Sequence, residues 1–248
     1  GVQAVDRDVE LIAFLDDDDE WKPDCIERRI ELWQQLGEQQ LATGVVYCGC
    51  EVRIVDEQRT TLKMPIIDGN IKTEIITKGL STIPSTCLFS RSALLRAGGF
   101  DERLPSSIDD DIWMNLATHD YAARPVYAAS VITYHYAHKR CMVADTRPRL
   151  KGVEAFLQKW WRVFEDWFEP KTAQRFITRY RTRVLGGLAA KKLAEGNVAQ
   201  SWLILREVLR RNNAANSGYL SLVIGRTLLA SCIPATIKRR IRNIEKTA

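Results

Sequence analysis

Five consecutive acids, Asp16, Asp17, Asp18, Asp19 and Glu20, stand directly after the apolar run Val9–Leu15. Crowded carboxylates repel one another, so they stay ionised together only where solvent or a cation compensates them. Mg²⁺ and Mn²⁺ take carboxylate oxygens and complete their shells with phosphate oxygens. The run therefore predicts a site for a hard divalent cation and a phosphate group; the alternative is a solvated acidic loop. A second acidic group, Asp109, Asp110 and Asp111, stands just before Trp113. It reads either as site chemistry at a helix start or as a plain cap, because Asp favours helix N-termini.

The elements that must position these groups follow from spacing. Val9–Leu15 has the length and β-branched content of a buried strand, which sets the acids at its C-terminal edge, where open α/β sheets bind ligands. Pro23 suits a first helical turn, and Ile26, Ile30, Leu32 and Leu36 follow at roughly helical spacing. A second strand is expected over 44–55, with a turn near Asp56 and a loop-rich stretch holding Pro65 and Asp68-Gly69-Asn70. A strand over 85–89, a short helix over 91–97 stopped by Gly98-Gly99, a helix over 109–118 and a strand over 126–135 complete the front. From about Arg147 strand signals vanish. Residues 153–168 read as an aromatic-rich helix broken by Pro170; 172–194 and 198–211 read as an antiparallel helix pair turning at Gly196-Asn197. The expected domains are 1–148 and 149–248.

Two segments resemble a known family. IAFLDDDDEWKPDCIERRIELW is similar to the metal-binding strand-loop-helix of family 2 glycosyltransferases, and STCLFSRSALLRAGGFDERLPSSIDDDIWMNLA is similar to the acceptor-side segment of the same family. The resemblance spans about residues 1–145. It implies an α/β fold of GT-A type, a Rossmann-like mixed sheet flanked by helices, here lacking its first strands and followed by an α-helical C-terminal region. It also implies transfer of a sugar from a nucleotide-diphosphate sugar to an acceptor hydroxyl, with inversion, in cell-surface polysaccharide or glycan synthesis. Asp16 and Asp18 then hold Mn²⁺ or Mg²⁺, and Asp16 and Asp17 serve the donor's diphosphate. Asp111-Ile112-Trp113 takes the place of the family's Asp-Leu-Trp, which puts Asp109 at the catalytic base. Many members carry Glu-Asp there, and this chain has Ile108-Asp109. Asp111 and Trp113 fall on the acceptor side, although an aromatic on an apolar helix face equally suits the core. His138, beside Lys139 and Arg140, suits stabilisation of the leaving diphosphate. Gly98, Gly99 and Phe100 are expected to be architectural, Phe100 anchoring its loop. Members of the family begin with strands that hold base and ribose, so activity of the chain as it stands is in question.

Charge divides the chain. Residues 1–150 carry 17 Lys and Arg against 24 Asp and Glu, whereas residues 151–248 carry 19 against 7. The acidic front is unsuited to nucleic acid and suits a cation site. The basic back, with Arg175, Arg179, Arg181, Arg183 and Lys238-Arg239-Arg240, suits either peripheral contact with an anionic membrane or a solvated helical face. Trp160, Trp161 and Trp167 suit an interfacial belt or internal packing. No apolar stretch reaches the ~20 residues of a spanning helix. Six scattered cysteines read as buried free thiols in a reducing cytoplasm. The expected location is the cytoplasm, at the inner face of the membrane, and the expected acceptor is a carbohydrate or a lipid-linked sugar. Two rival classes remain: a metal-dependent phosphoryl or nucleotidyl transferase, for which residues 1–150 show no Gly-rich phosphate loop, and a non-catalytic helical interaction protein with a degenerate α/β front.

Overall fold

Alternating and continuous apolar strands in the front half need a sheet covered by helices, and the computed structural model provides one. It describes residues 2–55, 58–80, 83–135 and 146–211. The chain divides into two compact units, Gly1–Arg140 and Cys141–Ala248. In the first, the strands are β1 (Leu11–Ala13), β2 (Asp19–Trp21), β3 (Thr43–Ile54), β4 (Arg59–Lys63), β5 (Gly69–Asn70), β6 (Cys87–Ser90) and β7 (Ala122–His135). They form one mixed sheet in the order β1-β6-β3-β7-β2, with β4 added to β3 and β5 to β7. Only β3 and β7 run parallel; the other pairings are antiparallel.

β3 and β7 are long because each serves two neighbourhoods. Val45–Tyr47 pair with β6, whereas Cys50–Ile54 pair with β4. The change comes at a break in register around Gly49, which curls the sheet. A Cβ at Gly49 would lie 2.8 Å from the Lys63 carbonyl oxygen, so the close approach of β4 needs glycine there. This curled sheet, flanked by helices, matches the expected GT-A type of α/β fold.

Helices α1 (Cys25–Gln35), α2 (Ile71–Lys78), α3 (Arg91–Arg96) and α4 (Ile108–Thr118) flank the sheet. The fully buried stripe of α1 is Cys25, Arg29 and Trp33, at i, i+4 and i+8. Ile26, Ile30, Leu32 and Leu36, which the sequence shows at roughly helical spacing, are half-buried beside it. The stretch expected as loop contains β4, β5 and α2. Its Asp-Gly-Asn signal is a helix start, because the Asn70 side chain caps α2 by accepting from the Thr73 amide. β2 is a further difference: Asp19 and Glu20 belong to the acidic run, and Trp21 reads as the approach to the helix that follows.

The second unit is helical: α5 (Thr146–Trp167), α6 (Pro170–Ala194) and α7 (Val198–Arg211). Phe156 stacks on Tyr180 and Phe164 packs on Phe176, with centroids 4.8 and 4.7 Å apart. Gly196, at φ 80°, ends α6, and the Asn197 side chain accepts from the Gln200 amide in the first turn of α7. Trp160 lies in this unit's core, whereas Trp161 is exposed. Arg181 turns inward to pair with Glu154 at 2.9 Å, leaving Arg175 and Arg179 exposed. Among the described residues, no helix is long and apolar enough to cross a membrane.

Candidate functional site

β1 delivers the acids to the end of the sheet, and a tight turn folds them back. The Asp19 amide donates to the Asp16 carbonyl at 3.1 Å, so Asp17 and Asp18 occupy the tip and Asp19 enters β2. β2 is then fixed by pairing with β7, Asp19 opposite Thr133 and Trp21 opposite Val131. Asp16, Asp17 and Asp18 are exposed, and no basic side chain among the described residues pairs with them. Local desolvation, and then the charges of Asp19, Asp18 and Asp17, raise the Asp16 carboxyl above its ordinary value. A group so placed favours a compensating cation.

The donor set is all carboxylate oxygen, which fits a hard divalent cation. Among the described residues, however, no three His, Cys, Asp or Glu side chains converge on one point. The turn therefore fits a cation held by one or two carboxylates, with water and phosphate oxygens filling the shell. It does not fit a closed cage made by protein alone.

The acidic turn and α4 meet at one short segment. Residues Pro84–Thr86 form a 3₁₀ turn ahead of β6. The Ser85 hydroxyl accepts from the Asp16 amide at 3.0 Å, and the Ser85 carbonyl accepts from the Trp21 indole N–H at 2.7 Å. Beneath the turn, the Cys48 thiol donates to the Thr86 carbonyl at 3.6 Å. On its other flank lies Cys87, whose thiol is pushed up by burial, with the nearby charge of Asp109 adding to the rise. Ser85 thus ties the expected metal turn to the start of β6. Sequence reasoning placed Ser85 merely at a strand start; the Pro-Ser-Thr triplet was the available sign of a turn.

α4 begins under strain. Its N-cap, Ser107, is buried in the left-handed region at φ 64°, and its hydroxyl lacks a partner among the described residues. Such backbone is costly outside glycine and gathers at functional sites. Asp109 and Asp110 in the first turn are half-buried. Asp111 is fully buried and accepts from the Asn115 side chain at 3.3 Å, and Asn115 also donates to the Gly99 carbonyl at 3.4 Å. Asn115, which the sequence did not single out, therefore ties α4 to the glycine loop. Trp113 is 1% exposed and packs edge-to-face on Tyr47 at 5.0 Å, in the core. His138, Lys139 and Arg140 lie outside the described residues, as do Cys141 and Cys232, and so does the side chain of His135. Cys25, Cys48, Cys50 and Cys87 are free and buried.

The sequence model of the family described as glycosyl transferase family 2 matches residues 1–98. Over this stretch the chain is similar to family 2 glycosyl transferases. No curated protein matches the chain. The family 2 match takes in the acidic turn, β2, the Ser85 turn and α3, and ends at Gly98, ahead of Phe100 and α4. It supports glycosyltransferase activity in general, with a sugar donor and an acceptor.

Proposed function

We propose that the protein moves a sugar from a nucleotide-diphosphate sugar to the hydroxyl of a carbohydrate or lipid-linked acceptor, inverting the anomeric carbon. The observation carrying this is that exposed Asp16, Asp17 and Asp18 form a tight turn at the end of β1, held by Ser85, inside the stretch that the family 2 model matches. Asp16 and Asp18 are the residues for Mn²⁺ or Mg²⁺, and Asp17 faces the donor's diphosphate. When bound, the cation would supply charge neutralisation for the departing phosphates. Asp109 takes the proton of the acceptor hydroxyl as its oxygen bonds to the anomeric carbon. The carbon–phosphate oxygen bond breaks on the opposite face, and the nucleoside diphosphate leaves. Asp111, Asn115 and the glycine loop hold α4 so that Asp109 keeps its aim.

Cell-surface polysaccharide or glycan synthesis at the cytoplasmic face of a membrane suits this chemistry. The exposed Arg175 and Arg179, one turn apart on α6, suit contact with an anionic surface. The test is single-turnover sugar transfer by Asp109→Asn beside Asp110→Asn. Asn caps a helix about as well as Asp but accepts no proton, so Asp109→Asn should lose ~10²–10⁴ in rate while Asp110→Asn stays near wild type. A wild-type rate for Asp109→Asn, or equal losses in both, would remove Asp109 from the base position.

A further inference from the structure

Arg29 is a fully buried arginine without a carboxylate partner among the described residues. Its Nε donates to the Cys25 carbonyl at 3.1 Å and its Nη2 to the Cys25 sulfur at 3.2 Å, while Nη1 is buried without a partner among the described residues. Arginine is seldom fully buried unless paired, so plain core filling is a poor account of it. What the guanidinium does meet is a ring: its carbon lies 5.3 Å from the centroid of Trp21. Trp21 in turn donates to the Ser85 carbonyl at 2.7 Å, and Ser85 accepts from the Asp16 amide at 3.0 Å.

We infer that Arg29 is a positioning residue for the acidic turn, acting through Trp21 and Ser85. Its consequence for catalysis rests on the function proposed above; the brace itself does not. A cation held over an indole is attracted to the ring face and draws electron density from it, which makes the N–H a stronger donor. The planar guanidinium is held by its two hydrogen bonds to Cys25, four residues earlier on α1, so a tilt of the indole loses a fixed neighbour. The indole N–H fixes the Ser85 turn, and the Ser85 hydroxyl fixes the backbone where the acids leave β1. α1 thereby sets the position of Asp16 and Asp18 through this chain of contacts. Lysine would bring a point charge without the flat face or the pinning fork.

Residue-resolved amide exchange on the intact protein tests this, with Arg29→Met, Arg29→Lys and Trp21→Phe. Trp21→Phe keeps an aromatic ring and removes the donor with the five-membered half of the indole, so it carries the test if the Arg29 variants fail to fold. The expected result is at least ~10-fold faster exchange of the Asp16 amide in all three, with the β3 amides of Val45 and Val46 unchanged. Unchanged exchange at Asp16, or an equal rise at Val45 and Val46, would overturn the brace and make Arg29 an ordinary core residue. Mn²⁺ alone, titrated calorimetrically into the same variants, separates the two ideas. Weaker Mn²⁺ binding by the variants than by wild type extends the brace to the cation. Absence of Mn²⁺ binding in wild type contradicts the proposed metal role and leaves the exchange result to decide the brace.

Discussion

Phe100 packs edge-to-face on Phe14, with ring centroids 5.1 Å apart, and Phe14 also meets Phe89 of β6 at 6.0 Å. Phe14 stands two residues before Asp16, and Phe100 directly follows Gly98 and Gly99, both at positive φ. The glycine loop is thus clamped to the strand that delivers the acids, and Asn115 clamps the same loop to α4. The loop carrying Gly99 and Phe100 thus has contacts to both segments.

Phe100→Ala should therefore cost about 1–3 kcal/mol, less than a fully buried ring because Phe100 is half-buried. Phe100→Leu should recover much of that. Urea unfolding midpoints of the three proteins would show it, and equal midpoints would mean that the ring pair contributes nothing.

Gly49 makes a sharper case, since its replacement has no room. A Cβ there meets the Lys63 carbonyl oxygen at 2.8 Å, the Met64 sulfur at 3.1 Å and the Ala128 carbonyl oxygen at 3.2 Å. Backbone must shift, so Gly49→Ala should destabilise by about 1–3 kcal/mol. Thermal unfolding measures this, and a wild-type Tm would show that the β3–β4 approach is looser than its geometry.

Much of this was legible in the sequence. The strand before the acids, the short helix before Gly98-Gly99, the helix carrying Asp109 and the helix pair around Gly196-Asn197 all carry periodicity or caps that read locally. What escaped depends on contacts distant in the chain. Arg29 looks like a solvent residue because its partners, Trp21 and the underside of the sheet, are unknown until β2 pairs with β7. β2 escaped because acids are poor strand formers, and only pairing with β7 makes them one. Ser85 became a site residue only when β1 and β6 set it beside Asp16.

Cys25 gives stability a pH dependence. The neighbouring Cys48 thiol, then the charge of Arg29, pull its thiol below the ordinary thiol value against the opposing effect of burial. A folded-state value below the unfolded one contributes stability that is present above the unfolded value and lost as pH falls through the folded one. Stability should therefore rise through this group as pH rises toward the ordinary thiol range. Cys25→Ser should flatten that slope in urea unfolding series, and an unchanged slope would assign it to other groups.

Calorimetric titration of a nucleoside diphosphate into the protein, with and without Mn²⁺, puts the central claim to its most direct test. The acids at the end of β1 should give diphosphate binding that needs the cation in the wild type. Asp18→Ala should abolish that binding while leaving thermal unfolding unchanged, because Asp18 is exposed at the tip of its turn. Diphosphate binding that ignores Mn²⁺, or that survives Asp18→Ala, would contradict a metal-dependent sugar-nucleotide site at this turn.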